Sequence, residues 1–226
     1  MSDTIADNLR RVAASLPPDV RLLAVSKFHP AEAVLEAYSA GQRHFGESRV
    51  QELIPKVKAL PADINWHFIG HLQTNKVRQL IGLCYLIESV DSLRLLEAID
   101  RESLRAGVVT RILMQVHVAR EETKFGFTPD EILDYFSRRQ FESLQATHIC
   151  GLMGMASNTD DTGRITTDFR TIRSLYDKIL RTCPDLRGFD TISMGMSDDR
   201  EIAIREGSTQ IRVGTDIFGI RDYGAG

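Results

Sequence analysis

Apolar and polar positions along this chain follow two periods that take turns. An opening stretch carries Ile5, Leu9, Val12 and Leu16 at helical spacing and is stopped by Pro17-Pro18. After it, short apolar runs alternate with longer amphipathic ones. The short runs predict strands at 21–27, 43–47, 65–70, 85–90, 111–118, 147–153, 191–195 and 210–214. The longer ones predict helices at about 31–40, 49–59, 74–82, 92–106, 129–138, 164–181 and 198–206. Strand followed by helix, repeated, is the pattern of βαβ units in a parallel sheet. Eight repeats point to an α/β fold of the (β/α)8 TIM-barrel type with an extra N-terminal helix. A doubly wound open sheet shares the alternation, and counting does not separate the two. No linker or low-complexity stretch breaks the pattern, so residues 1–226 read as a single domain.

Composition narrows the class. The 226 residues are 42% hydrophobic and 26% charged, enough for a sizeable core. A net charge of −3 with no Lys/Arg block gives no sign of a nucleic-acid partner. Cys84, Cys150 and Cys183 are far apart and form no CxxC, which suggests neither a disulfide framework nor a zinc site. The polar N-terminus has no apolar stretch of signal length, and no run approaches the roughly 20 apolar residues of a membrane span. A cytoplasmic protein with no membrane partner is the expectation.

Lys27 is the first candidate for chemistry. It closes the apolar run Leu22-Leu23-Ala24-Val25-Ser26-Lys27 and precedes Phe28-His29-Pro30. A lysine where a buried strand meets a loop loses part of its hydration. That disfavours the ammonium and leaves more free amine to attack a carbonyl, as in Schiff-base formation. The plainer reading is a strand-end lysine whose stem packs while its head reaches solvent.

A second candidate lies at the other end of the chain. In TIM barrels phosphate often binds in the loops after strands seven and eight. Here those loops are Met194-Gly195-Met196-Ser197 and Val213-Gly214-Thr215, each with a glycine and a hydroxyl. Ser197 also reads as an N-cap for the helix predicted from 198, with Asp198 and Asp199 opposing an anion unless they point away. An amine on strand one beside a phosphate cradle suits a ligand with an aldehyde and a phosphate. Pyridoxal 5'-phosphate (PLP) has both. Arg212, inside a predicted strand, is then either half of a salt bridge, with Glu47, Asp216 or another acid, or a contact for the cofactor's ring nitrogen.

The segments AVSKFHP (24–30), FGESRVQE (45–52), WHFIGHLQTNK (66–76), QVHVAREETKFG (115–126), GLMGMA (151–156), SMGMSDD (193–199) and IRVGTDIFGIR (211–221) together resemble the pyridoxal phosphate homeostasis protein family. The resemblance spans nearly the whole chain in order. It implies a barrel similar to the amino-terminal domain of alanine racemase. It also implies a Schiff-base lysine at Lys27, phosphate contacts from Ser197, Gly214 and Thr215, and a ring-nitrogen contact from Arg212. Ser48 falls near the cofactor, where the family usually has asparagine; His117 and Phe125 are further departures. Met155 is a candidate for the ring pocket, and so is Met194. The family is associated with PLP supply rather than robust catalysis, with PLP-dependent apoenzymes as possible recipients and a monomeric state.

The alternative is a PLP-dependent amino-acid racemase, which needs a second acid/base opposite the lysine. None of Tyr38, Tyr85, Tyr135, Tyr176 or Tyr223 stands out as that group, and an aldolase-type barrel fits the long motifs less well. His67 and His71 lie across a predicted strand rather than on one helix face, so a metal pair is not expected. Trp66 reads as core. Lys124, in the loop after strand five, reads as a solvated charge or a second aldehyde-binding lysine.

Overall fold

The computed structural model describes residues 4–120 and 125–220; Lys124 and Tyr223 lie outside them. Helix α1 (Ile5–Ala14) leads into eight strands: β1 (Arg21–Val25), β2 (His44–Glu47), β3 (Asn65–Phe68), β4 (Leu86–Val90), β5 (Thr110–Val116), β6 (Thr147–Gly154), β7 (Thr191–Ser193) and β8 (Gln210–Val213). All pair in parallel with their chain neighbours. β8 returns to β1 through Arg21↔Gln210, Leu22↔Ile211, Leu23↔Arg212 and Ala24↔Val213, so the sheet closes and the open-sheet alternative falls away.

Helices α2 (Ala31–Ser39), α3 (Val50–Ala59), α4 (Val77–Leu80), α5 (Leu93–Ala106), α6 (Pro129–Ser137), α7 (Thr162–Thr182) and α8 (Arg200–Arg205) alternate with the strands, and α9 (Thr215–Phe218) follows β8. Their starts are locally encoded. Thr128 and Glu131 form a reciprocal capping box around Pro129, and Ser92 and Asp161 cap α5 and α7 by accepting backbone N–H bonds. α1 packs against α2 and α9, taking the place of an eighth outer helix between β8 and β1.

Boundaries depart from expectation where loops begin chemistry. Strand one ends at Val25, so Lys27 sits in a turn past it. The stretch expected as a helix at 74–82 splits into a 3-10 turn and the one-turn α4. Strand five stops at Val116 because the chain folds back: the His117 N–H donates to the Phe127 carbonyl, and the Phe127 N–H to that of Gln115.

Candidate functional site

Gln210 Nε2 on β8 donates to Glu88 Oε1 on β4 at 2.8 Å. Those strands stand on opposite sides of the barrel, so this bond crosses the axis and shows which face of each strand is interior. Alternation then places Leu23 and Val25, Gly46, Met153, Ser193 and Arg212 inside, consistent with their pairing across neighbouring strands. Just past the carboxyl ends of these strands, at the rim, come Lys27, Ser48, Met155, Gly195 and Gly214. Ser197 and Thr215 lie in the loops just beyond.

The turn that carries half-buried Lys27 is strained and held. Phe28 adopts φ 67°, a left-handed conformation that costs a bulky residue about 1–3 kcal/mol. Its N–H donates to Glu52 Oε2 at 2.8 Å, the Arg49 guanidinium covers its ring at 4.6 Å, and Arg49 and Glu52 pair at 3.6 Å. His29 stacks on Phe218 at 5.1 Å, which ties this turn to α9. Behind it, Glu47 Oε1 accepts from Ser26 Oγ at 2.7 Å and from Lys56 Nζ at 2.6 Å, while Lys56 also donates to the Ser26 carbonyl. Burial pushes the Glu47 carboxyl up against the pull of Lys56, and its Oε2 has no partner among the described residues. Ser48 reaches the rim through a close crossing: a Cβ on Gly70 would lie 2.1 Å from the Ser48 carbonyl oxygen.

On the far side, the loops after β7 and β8 are braced as a pair. Arg200 on α8 donates to the Ser197 carbonyl at 2.7 Å and pairs with Asp216 on α9. Gly195 has φ 95°, and a Cβ there would meet that of Ala203 at 2.5 Å, so the loop backbone lies bare against α8. Ser197 is not the N-cap expected: α8 begins at Arg200, after Asp199. Asp199 turns its Oδ1 back to accept from the Met196 N–H at 2.6 Å, and Asp198 is exposed. Neither therefore stands in as a free anion filling the loop.

Arg212 lies buried at the bottom of this mouth. Among the described residues no acid pairs with it, which goes against the salt-bridge alternative: Glu47 pairs with Lys56 and Asp216 with Arg200. Instead its Nη1 donates to the Ser193 carbonyl at 2.8 Å and the Ser193 hydroxyl at 2.7 Å, and its Nη2 to the Gly154 carbonyl at 2.9 Å. Three of five guanidinium N–H bonds are thus used among the described residues, and two remain. Burial pulls its pKa down, opposed by the charges of Glu88 and Asp199.

Comparison with known proteins gives the family and supports the fold. The family model described as "Alanine racemase, N-terminal domain" matches residues 1–222. A pyridoxal phosphate homeostasis protein of Pasteurella multocida is 37% identical over 211 residues, covering 90% of this chain and 88% of its own. The chain belongs to that family. The human member is 35% identical over 97% of this chain and 85% of its own. PipY of Synechococcus elongatus, solved without PLP, superposes with a TM-score of 0.90 at 40% identity, covering 96% of this chain and all of that one. With PLP bound, PipY gives 0.86 at 39% identity over 96% of this chain and all of its own. An alanine racemase of Clostridium difficile, 14% identical with a TM-score of 0.79 over 99% of this chain and 58% of its own, shares the fold.

Within this member of the pyridoxal phosphate homeostasis protein family, other residues fall away from the rim. Met194 is fully buried in the layer between strands and helices and does not line the mouth. Trp66 is core, tilted on Phe45. Tyr38 bonds Asp63 on the surface, Tyr176 donates to the Phe189 carbonyl, Tyr135 packs on Phe136, and Tyr85 lies by His44 and Arg111 at the amino end of the barrel. No tyrosine among the described residues reaches the carboxyl-end rim. His71 pairs with Asp91 and stacks on exposed Phe125 at 3.9 Å, so that departure builds part of the mouth's outer wall. No cluster able to hold a metal is found among the described residues, and no helix of them is long and apolar enough to cross a membrane.

Sequence reasoning missed the barrel's polar interior. Glu88 accepts from His67 Nδ1 at 2.6 Å, Ser193 Oγ at 2.6 Å and Gln210 Nε2, and His67 Nε2 meets His44 Nδ1 at 3.0 Å. A glutamate inside the apolar run Leu86-Ile87-Glu88-Ser89-Val90 was the available signal.

Proposed function

We propose that this chain binds pyridoxal 5'-phosphate at the barrel mouth as a Schiff base on Lys27. In this reading it takes part in intracellular PLP homeostasis without robust catalysis of its own. The observation that carries this reading is buried Arg212 on β8, beside the strand that leads to the Lys27 turn, with two N–H bonds unused among the described residues. These residues fit the group. A pyridine nitrogen offers one lone pair, which suits a guanidinium N–H and stays unprotonated beside it. A phosphate suits the bare backbone of the Gly195 and Gly214 loops together with the hydroxyls of Ser197 and Thr215.

When bound, the cofactor supplies an electrophilic aldehyde carbon and an electron-withdrawing ring. Lys27, half-buried in the turn past β1, would supply the amine. Its role would be to hold the cofactor through that carbon as a Schiff base, with the aldehyde oxygen lost as water. Ser48 and Met155 would line the ring's side of the mouth. Arg212 opposes protonation of the ring nitrogen and so weakens the electron sink that amino-acid chemistry needs. Absence of a rim tyrosine among the described residues favours holding over racemisation, the alternative function. A cytoplasmic monomer that delivers PLP to dependent apoenzymes completes the proposal.

Borohydride reduction of PLP-loaded protein, followed by peptide mass mapping, tests the lysine. The pyridoxyl mass is expected on the peptide containing Lys27; its appearance on Lys56 or Lys124 instead would overturn the assignment.

A further inference from the structure

The polar groups on the barrel axis form one connected set, and only its last member faces the mouth. We infer that Glu88 is a positioning residue for the ring end of the cofactor, acting on Arg212 through the Ser193 hydroxyl. The inference rests on the proposal that PLP lies over Arg212.

Ser193 has one proton to give and two lone pairs. It donates to Glu88 Oε2 at 2.6 Å and accepts from Arg212 Nη1 at 2.7 Å and Gln210 Nε2 at 3.1 Å, so its bonding capacity is full. Its lone pairs face Arg212 because its proton is directed to Glu88, an arrangement that an ionised carboxylate secures by having no proton to offer in return. Burial works against that ionisation, yet the bonds from His67 and Ser193 and the charge of Arg212 hold the Glu88 carboxyl below its ordinary range. Gln210 Nε2 donates to Glu88 Oε1 and to Ser193 Oγ, a second tie between the two residues.

A purely structural explanation predicts something else. TIM-barrel interiors are filled by layers of branched apolar side chains, and a buried ion pair is often no more stabilising than such packing. This barrel uses apolar packing elsewhere on its axis, with Leu86, Leu113, Cys150 and Met153 in one cluster. The polar set runs instead from His44 through His67, Glu88 and Ser193 to Arg212, from the amino end of the barrel to the base of the mouth. The charged or titratable groups around Glu88 are His67 on β3, with His44 on β2 behind it, and Arg212 on β8, which Asp199 faces from the loop after β7.

The consequence is electrostatic. With Glu88 ionised, its charge offsets that of Arg212, and a protonated imine on Lys27 is favoured. Without it the guanidinium acts uncompensated.

The test is a visible-absorption pH titration of PLP-loaded protein. In Glu88→Gln the imine band is expected to persist while its midpoint falls by about one pH unit, a tenfold change in the protonation constant. Ser193→Ala, which keeps both charges and removes the bridge, is expected to move the midpoint the same way by less, and it decides the matter if Glu88→Gln does not fold. A wild-type band with unchanged midpoints in the variants overturns this inference alone. A wild-type protein that forms no band takes the PLP reading down with it.

Discussion

Alternate residues of the same eight strands build two different regions. Outward, between strands and helices, Phe45, Trp66, Phe136, Phe169 and Phe189 join a continuous apolar layer. Inward, one side of the axis is apolar and the other holds His44, His67, Glu88, Ser193, Gln210 and Arg212 in hydrogen-bond contact. The outer layer does what burial does for any barrel. The inner set contains charge that would cost several kcal/mol if unpartnered, and it leads to the mouth. On the proposed function, stability and cofactor handling divide between the two faces of one sheet.

Cutting the outer layer should give the largest effect. Phe136 is fully buried against the rings of Tyr135, Phe141 and Phe189. Phe136→Ala is expected to lower unfolding free energy by about 3–5 kcal/mol in urea denaturation, with PLP affinity of the folded fraction unchanged. A change in affinity at unchanged stability would break the division.

An intermediate effect belongs to the inner set and to acid. Burial, with the charge of His67, lowers the His44 pKa from 6.5 to about 4. In that range the unfolded chain binds the proton that folded His44 refuses, so stability is present above pH 6.5 and is lost as pH falls toward 4. The loss is about 2 kcal/mol after allowance for its partial exposure. His44→Gln is expected to flatten this part of the stability profile in thermal scans between those pH values. An unaltered slope would remove His44 from the account.

The smallest effect lies at the rim. Ser48→Asn supplies a longer amide where the serine offers one hydroxyl, and a gain in PLP affinity of no more than about 1 kcal/mol is expected in a fluorescence titration. Weaker binding would mean that the Ser48 position, crossed by Gly70, has no room for the larger side chain.

Much of the barrel was legible because each strand and helix announces itself locally, through period, proline and caps such as Thr128-Pro129. Closure was not, since the pairing of Leu23 with Arg212 joins positions far apart in the chain and leaves no local pattern. α9 is too short to show a period. Lys27, Arg212 and the two loops could be singled out by residue type at strand ends. The partners of Arg212 could not, because a buried guanidinium can be satisfied by backbone carbonyls and a serine as well as by the acids a sequence suggests. The link from Glu88 to Ser193 likewise exists only once the barrel closes.

The central claim is that Lys27 holds the cofactor, and its most direct test is a PLP titration followed by visible absorption, with wild type and Lys27→Ala side by side. The account predicts an imine band in the wild type and none in a variant that unfolds at the same temperature. A band of equal strength in Lys27→Ala would contradict it and assign the aldehyde to another lysine.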